Sequence, residues 1–138
     1  MAITVLRQDT RYDTLKKGHN MRWPASEADG VGRIEICETA EDAAEALQRI
    51  VSAGLRPTIR SGGHCYEDFF ANNPDGALLD LSLLTQTTPP GQGAPYKIGP
   101  GTQLWQAYTE QRGGRGRQGW NWRVCMRCHK PDMFLPFT

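Results

Sequence analysis

The chain has 138 residues, a net charge of +1 and a hydrophobic share of 38%, which suits one domain with one modest core. With glycine counted among the apolar residues the composition is near the globular average, which excludes wholesale disorder. No apolar run reaches transmembrane length, and the first residues lack the charged start and long apolar stretch of a signal peptide, so a soluble cytoplasmic protein with free thiols at Cys37 and Cys65 is expected.

The first segment, residues 1–29, is polar and reads as irregular, with weak helical character around Arg11–Lys17. Arg33–Cys37 alternates in polarity and predicts a short strand. Thr39 followed by Asp42 resembles a capping box. Ala43, Ala44, Leu47, Ile50 and Val51 then recur at helical spacing, with Glu41, Glu45 and Arg49 on the opposite side. Gly54 stands where a helix needs a left-handed residue to end. Arg56–Arg60 predicts a second strand, so strand, helix and strand form a βαβ unit.

The loop that leaves this second strand is the most informative part of the chain: Arg60-Ser61-Gly62-Gly63-His64-Cys65-Tyr66-Glu67. Without side chains at Gly62 and Gly63, successive N–H groups can point into one concavity and hold a phosphate or pyrophosphate. Arg60 can add charge, Ser61 a hydroxyl, and His64 a nucleophilic or ligating nitrogen. Open α/β folds place ligands at such strand ends. The combination points to a nucleotide cofactor.

Further on, Asn72–Gly76 is a turn cluster and Ala77–Leu81 a third, apolar strand. Pro89–Gly93 breaks the chain, Pro95–Gly99 offers a fourth short strand, and Thr102 begins a helix through Leu104, Trp105 and Tyr108. The expected fold class is α+β, a small sheet with a βαβ unit and flanking helices.

The ordered set of the βαβ unit, Arg60-Ser61-Gly62-Gly63-His64, Gly76-Ala77-Leu78-Leu79-Asp80-Leu81-Ser82 and Ile98-Gly99-Pro100-Gly101-Thr102 resembles the PCMH-type FAD-binding region of the vanillyl-alcohol-oxidase flavoenzymes, nearest the berberine-bridge-enzyme-like oxidases. Asn20 and Arg22 fit the same pattern. The resemblance runs from about Tyr12 to Gln111 and implies a partial FAD-binding domain over residues 30–111. It implies that Arg60, Ser61, Gly62 and Gly63 cradle the FAD pyrophosphate, that His64 carries a covalent bond to the flavin 8α-methyl carbon, and that Gly99 and Gly101 lie in a second loop near the cofactor. The implied chemistry passes hydride from a small-molecule substrate to flavin, and then electrons to dioxygen.

The family pattern ends near Gln111. Residues 1–111 carry ten Lys/Arg against fourteen Asp/Glu, whereas residues 112–138 carry six against one. Such a break marks a boundary, and the reading is a basic, disordered tail from out-of-frame or wrongly spliced translation. A truncated oxidase without its substrate domain, and so without turnover alone, is the expectation. An exposed sheet edge and poor solubility follow from the same reading. Cys125, Cys128 and His129 match a C-x-x-C-H haem-attachment pattern and give one rival, a small haem c carrier. The Gly-Arg steps and tryptophans of Arg112–Arg123 give another, a tail that contacts nucleic acid. No specific nucleic-acid or membrane partner is expected, and the sequence leaves the oligomeric state open.

Overall fold

The computed structural model describes residues 1–18, 24, 30–88, 97–103 and 106–107. A four-stranded sheet organises them. Its strands are β1 (Ile3–Leu6), β2 (Arg33–Ile36), β3 (Pro57–Arg60) and β4 (Ala77–Asp80), in the spatial order β1-β2-β4-β3. β1 runs antiparallel to β2, and β4 is parallel to both of its neighbours. The predicted βαβ unit is therefore present with its two strands separated by one position, because β4 slots between them. A short helix, α1 (Tyr12–Leu15), follows β1, and a longer one, α2 (Ala40–Ser52), links β2 to β3. β5 (Thr87–Thr88) and β6 (Lys97–Ile98) form a separate antiparallel pair. Among the described residues no helix is long and apolar enough to cross a membrane.

The capping signals of α2 act as the sequence predicts. The Asp42 amide donates to Thr39 Oγ1 at 3.1 Å, which satisfies an N–H that the first turn leaves without a carbonyl. At the other end Gly54 adopts φ +69°, so the amides of Gly54 and Leu55 turn back to the carbonyls of Val51 and Ile50.

The buried face of α2 departs from the sequence reading. Asp42, Ala46 and Ile50 are buried, whereas Leu47 and Val51 are exposed. The stripe is rotated because charge lies between helix and sheet. Glu35 of β2 is fully buried on the α2 side, where it accepts from Thr4 Oγ1 at 2.8 Å and pairs with Arg33 at 2.6 Å. Arg49, placed on the solvent side by the helical spacing, turns inward to within 3.6 Å of the same carboxylate.

Two apolar clusters flank the sheet. On the α2 side Ile50 packs with Ala77 and Leu79. On the other side Val5, Tyr12, Val31, Ile34, Phe70, Ala71 and Leu78 form the larger core. Tyr12 donates its hydroxyl to the Val31 carbonyl, so α1 is tied to the entry of β2. Residues 1–29 are thus not irregular throughout. Val5 is fully buried, β1 completes one side of the sheet, and the helical character expected around Arg11–Lys17 is realised as α1. The strand expected over Pro95–Gly99 is the short β6 in its described part. The helix expected after Thr102 has only residues 106–107 described, and the tail from 112 to 138, with Cys125, Cys128 and His129, lies outside the described residues, as do Asn20 and Arg22.

Candidate functional site

β3 and β4 are adjacent and parallel, so their C-terminal ends open at the same edge of the sheet. Arg60 ends β3 opposite Asp80, which ends β4, and the Leu81 amide donates to the Arg60 carbonyl at 2.8 Å just beyond them. The chain leaves this edge through Ser61–His64. Gly63 holds φ +64°, the left-handed region that a side chain resists. A Cβ on Gly62 would stand 2.9 Å from His64 Cδ2, so the imidazole lies back over the loop that carries it. His64 itself is exposed.

Among the described residues, no backbone carbonyl accepts from the amides of Ser61, Gly62 or Gly63. Three consecutive donors without a backbone acceptor, with a left-handed glycine among them, have the character of an anion-binding nest.

The second glycine pair is different. The Gly99 amide donates to Gln86 at 2.8 Å and the Gly101 amide to Leu84 at 3.0 Å. A side chain at Gly99 would collide with the Leu84 carbonyl, and one at Gly101 with the carbonyl of Ser82. These glycines let two backbones touch, and their donors are already engaged. Their position is still informative, since Ser82 lies two residues beyond the end of β4 and brings Gly101 to the edge where Ser61 begins.

The guanidinium of Arg60 is turned into the protein. It forms a buried ion pair with Asp80, donates to the Lys17 carbonyl at 3.2 Å, and lies 5.5 Å from the centroid of the Phe70 ring. The second oxygen of Asp80 accepts from the Ser82 amide at 2.9 Å. Phe70 is fixed in turn, because its carbonyl accepts from Thr58 Oγ1 at 2.8 Å. Behind the loop a Cβ on Gly18 would stand 2.9 Å from the Gly63 carbonyl oxygen, so the segment after α1 forms its back wall. Sequence reasoning missed Asp80, Phe70 and Gly18 as parts of the site. Only Asp80 carried a signal, as a lone carboxylate closing an apolar strand.

The return from the glycine loop to β4 is braced by Asn73, which is fully buried. Its amide group accepts from Arg56 Nε at 2.7 Å and donates to the Arg56 carbonyl at 2.8 Å. Cys65, next to His64, is half-buried against the larger core. Cys37 is fully buried, and burial pushes its thiol up to about 11, so it is chemically quiet.

The chain is similar in sequence and fold to known proteins. The chain is 30% identical over 110 residues to the aclacinomycin-N/aclacinomycin-A oxidase of Streptomyces galilaeus, covering 77% of this chain and 19% of that enzyme. Among solved structures, CrmK, a flavoenzyme of the shunt product recycling mechanism in caerulomycin biosynthesis, superposes with a TM-score of 0.69 at 29% identity, over 81% of this chain and 22% of the other. A glycopeptide hexose oxidase solved in complex with teicoplanin gives the same TM-score at 31% identity, over 83% of this chain and 22% of its own. No protein-family model matches the chain. The chain spans about a fifth of the length of these relatives.

Proposed function

This chain belongs to the FAD-linked oxidases of the berberine-bridge-like, vanillyl-alcohol-oxidase type over the part of their length that it spans, and from that premise we propose that its glycine loop anchors FAD. One observation carries the reading: among the described residues, the amides of Ser61, Gly62 and Gly63 have no backbone acceptor at the common C-terminal edge of two parallel strands. Such donors suit a pyrophosphate, whose oxygens need several hydrogen bonds when water is displaced. Gly62 and Gly63 leave room for the phosphates to approach the backbone, and the Ser61 hydroxyl adds a donor beside them. Gly99 and Gly101 support the edge from the β5–β6 side.

His64 follows the cradle directly and is exposed, so its imidazole can reach a ligand held there. One ring nitrogen of His64 would bond the flavin 8α-methyl carbon, with a proton lost from each partner. The two electrons of that oxidative bond formation would be taken up by the oxidised flavin, which dioxygen would then restore, giving hydrogen peroxide. When bound, FAD supplies the hydride acceptor for oxidation of a small-molecule substrate. The chain's own part is to bind the dinucleotide, orient it and tether it.

The visible spectrum of the purified protein, before and after acid precipitation, tests the reading. Flavin absorbance that stays with the acid pellet supports both anchoring and the His64 bond, and His64→Ala should release it to the supernatant. A colourless protein that takes up neither FAD nor ADP on titration overturns the reading.

A further inference from the structure

Arg60 looks from the sequence like a charge for the phosphates, but its surroundings assign it other work. Its side chain is only 7% exposed and that of Asp80 only 6%. The guanidinium meets a carboxylate, a backbone carbonyl and an aromatic face, contributed by three separate segments: the end of β4, the residues after α1, and the return loop. To reach a ligand outside, Arg60 would have to leave a buried carboxylate unpaired, which is among the costliest changes a protein interior can undergo.

We propose that the Arg60–Asp80 pair is a positioning device that presets the Ser61–Gly63 amides for a diphosphate and does not contact the phosphates itself. The proposal rests on the reading of this loop as the FAD cradle. Asp80 anchors both strand exits at once. One oxygen holds Arg60, the residue from which the loop departs, and the other holds the Ser82 amide, the residue against which Gly101 packs. Arg60 carries the tie further, through Lys17 to Gly18 and so to the back of Gly63. The pair is neutral as a unit, so attraction for the diphosphate comes from aligned amide dipoles whose alignment the pair maintains. A cradle held in its bound geometry binds more tightly because less ordering remains to be done when the ligand arrives.

Calorimetric titration of the flavin-free 138-residue chain with FAD, ADP and adenosine tests this, with Asp80→Asn, Arg60→Gln and the double variant compared to the parent. Positioning predicts that each single variant weakens FAD and ADP by about tenfold, the size of loss met when a partner that orients a binding group is removed. Adenosine, which has no phosphate, should be unaffected, whereas general loss of structure would weaken all three ligands. The double variant should be no worse than the poorer single one, because both remove the same pair. A direct phosphate contact predicts the opposite for Asp80→Asn, which would free the arginine and leave ADP binding equal or tighter. That result overturns the proposal. Thermal unfolding of each ligand-free variant identifies any that fails to fold. In that event Asp80→Glu, which keeps the charge but displaces the guanidinium, decides: a similar loss with a native-like midpoint supports positioning, and parental affinity overturns it. A parent chain that binds neither FAD nor ADP strikes the cradle reading instead.

Discussion

Arg60 and Asp80 are register partners at the ends of two parallel strands, and their side chains meet in a buried ion pair. The register brings the backbones together and the side chains then lock them, so the two chain exits that bound the glycine loop cannot separate without breaking the pair. This makes the loop a continuation of the sheet rather than an appendage to it. The rigidity of the site is therefore tied to the order β1-β2-β4-β3, which seats β4 directly against β3.

The two glycine pairs should answer differently to alanine. Gly63→Ala forces a side chain into φ +64° and should cost about 1–2 kcal/mol of stability while weakening FAD binding. Gly101→Ala drives a Cβ into the Ser82 carbonyl and should lower stability first, since its amide is already bonded to Leu84. Urea unfolding together with FAD titration separates the two. Equal effects on binding per unit of lost stability would count against the distinction.

The buried carboxylate on the α2 side makes a second prediction. Glu35→Ala removes the acceptor for Thr4 and leaves Arg33, whose side chain is three-quarters buried, without its partner. Breaking one half of a buried ion pair typically costs about 3–5 kcal/mol. Chemical denaturation should show a loss of that order, and Arg49→Ala, at a longer and more exposed contact, a smaller one. A Glu35→Ala protein with an unchanged midpoint would remove the account of why α2 is rotated.

That rotation shows where the sequence was legible and where it was not. The strands at Arg33, Pro57 and Ala77, both ends of α2 and the glycine loop all follow from local signals, which are turn residues, caps and alternation. Leu47 and Val51 misled because periodicity finds an apolar stripe without knowing what lies beneath it. Here the opposing surface holds Glu35, and Arg49 is drawn to it across the helix–sheet interface. β1 was hidden for a related reason. In Ile3–Leu6 only Val5 is buried, so the alternation is too short to stand out before the pairing with β2 is known. At the site, Gly99 and Gly101 carry the same residue type as Gly62 and Gly63, and it takes the hydrogen-bond partners of their amides, the backbone that crowds each glycine and the left-handed φ of Gly63 to tell the two loops apart.

Cys37 gives the pH dependence. Burial raises its thiol from 9.0 to about 11 in the folded chain, whereas the unfolded thiol ionises near the ordinary value. Below pH 9 both states hold the proton and the contribution is fully present. Between 9 and about 11 unfolding releases a proton, so stability falls as pH rises through that window. Cys37→Ala should flatten that part of the stability profile. Native protein at pH 8 should leave Cys37 unmodified by iodoacetamide, with peptide mapping as the readout. Rapid alkylation without unfolding would contradict the burial.

The last prediction concerns the sheet edge. β3 lies at one end of the four-stranded order, and Ile59 at its centre is 60% exposed. An edge strand offers unpaired backbone donors and acceptors, and an exposed β-branched side chain makes pairing with another chain more favourable. Val51 of α2 adds a further exposed apolar side chain. Ile59→Lys places a charge on the edge at a position that needs no burial, so stability should change by less than about 0.5 kcal/mol. Light scattering at fixed protein concentration should fall relative to the parent. The neighbouring Arg60–Asp80 pair is buried and Ile59 is not, so FAD affinity should be retained. If scattering is unchanged while stability holds, association proceeds through another surface, and the edge of β3 is not the aggregating element.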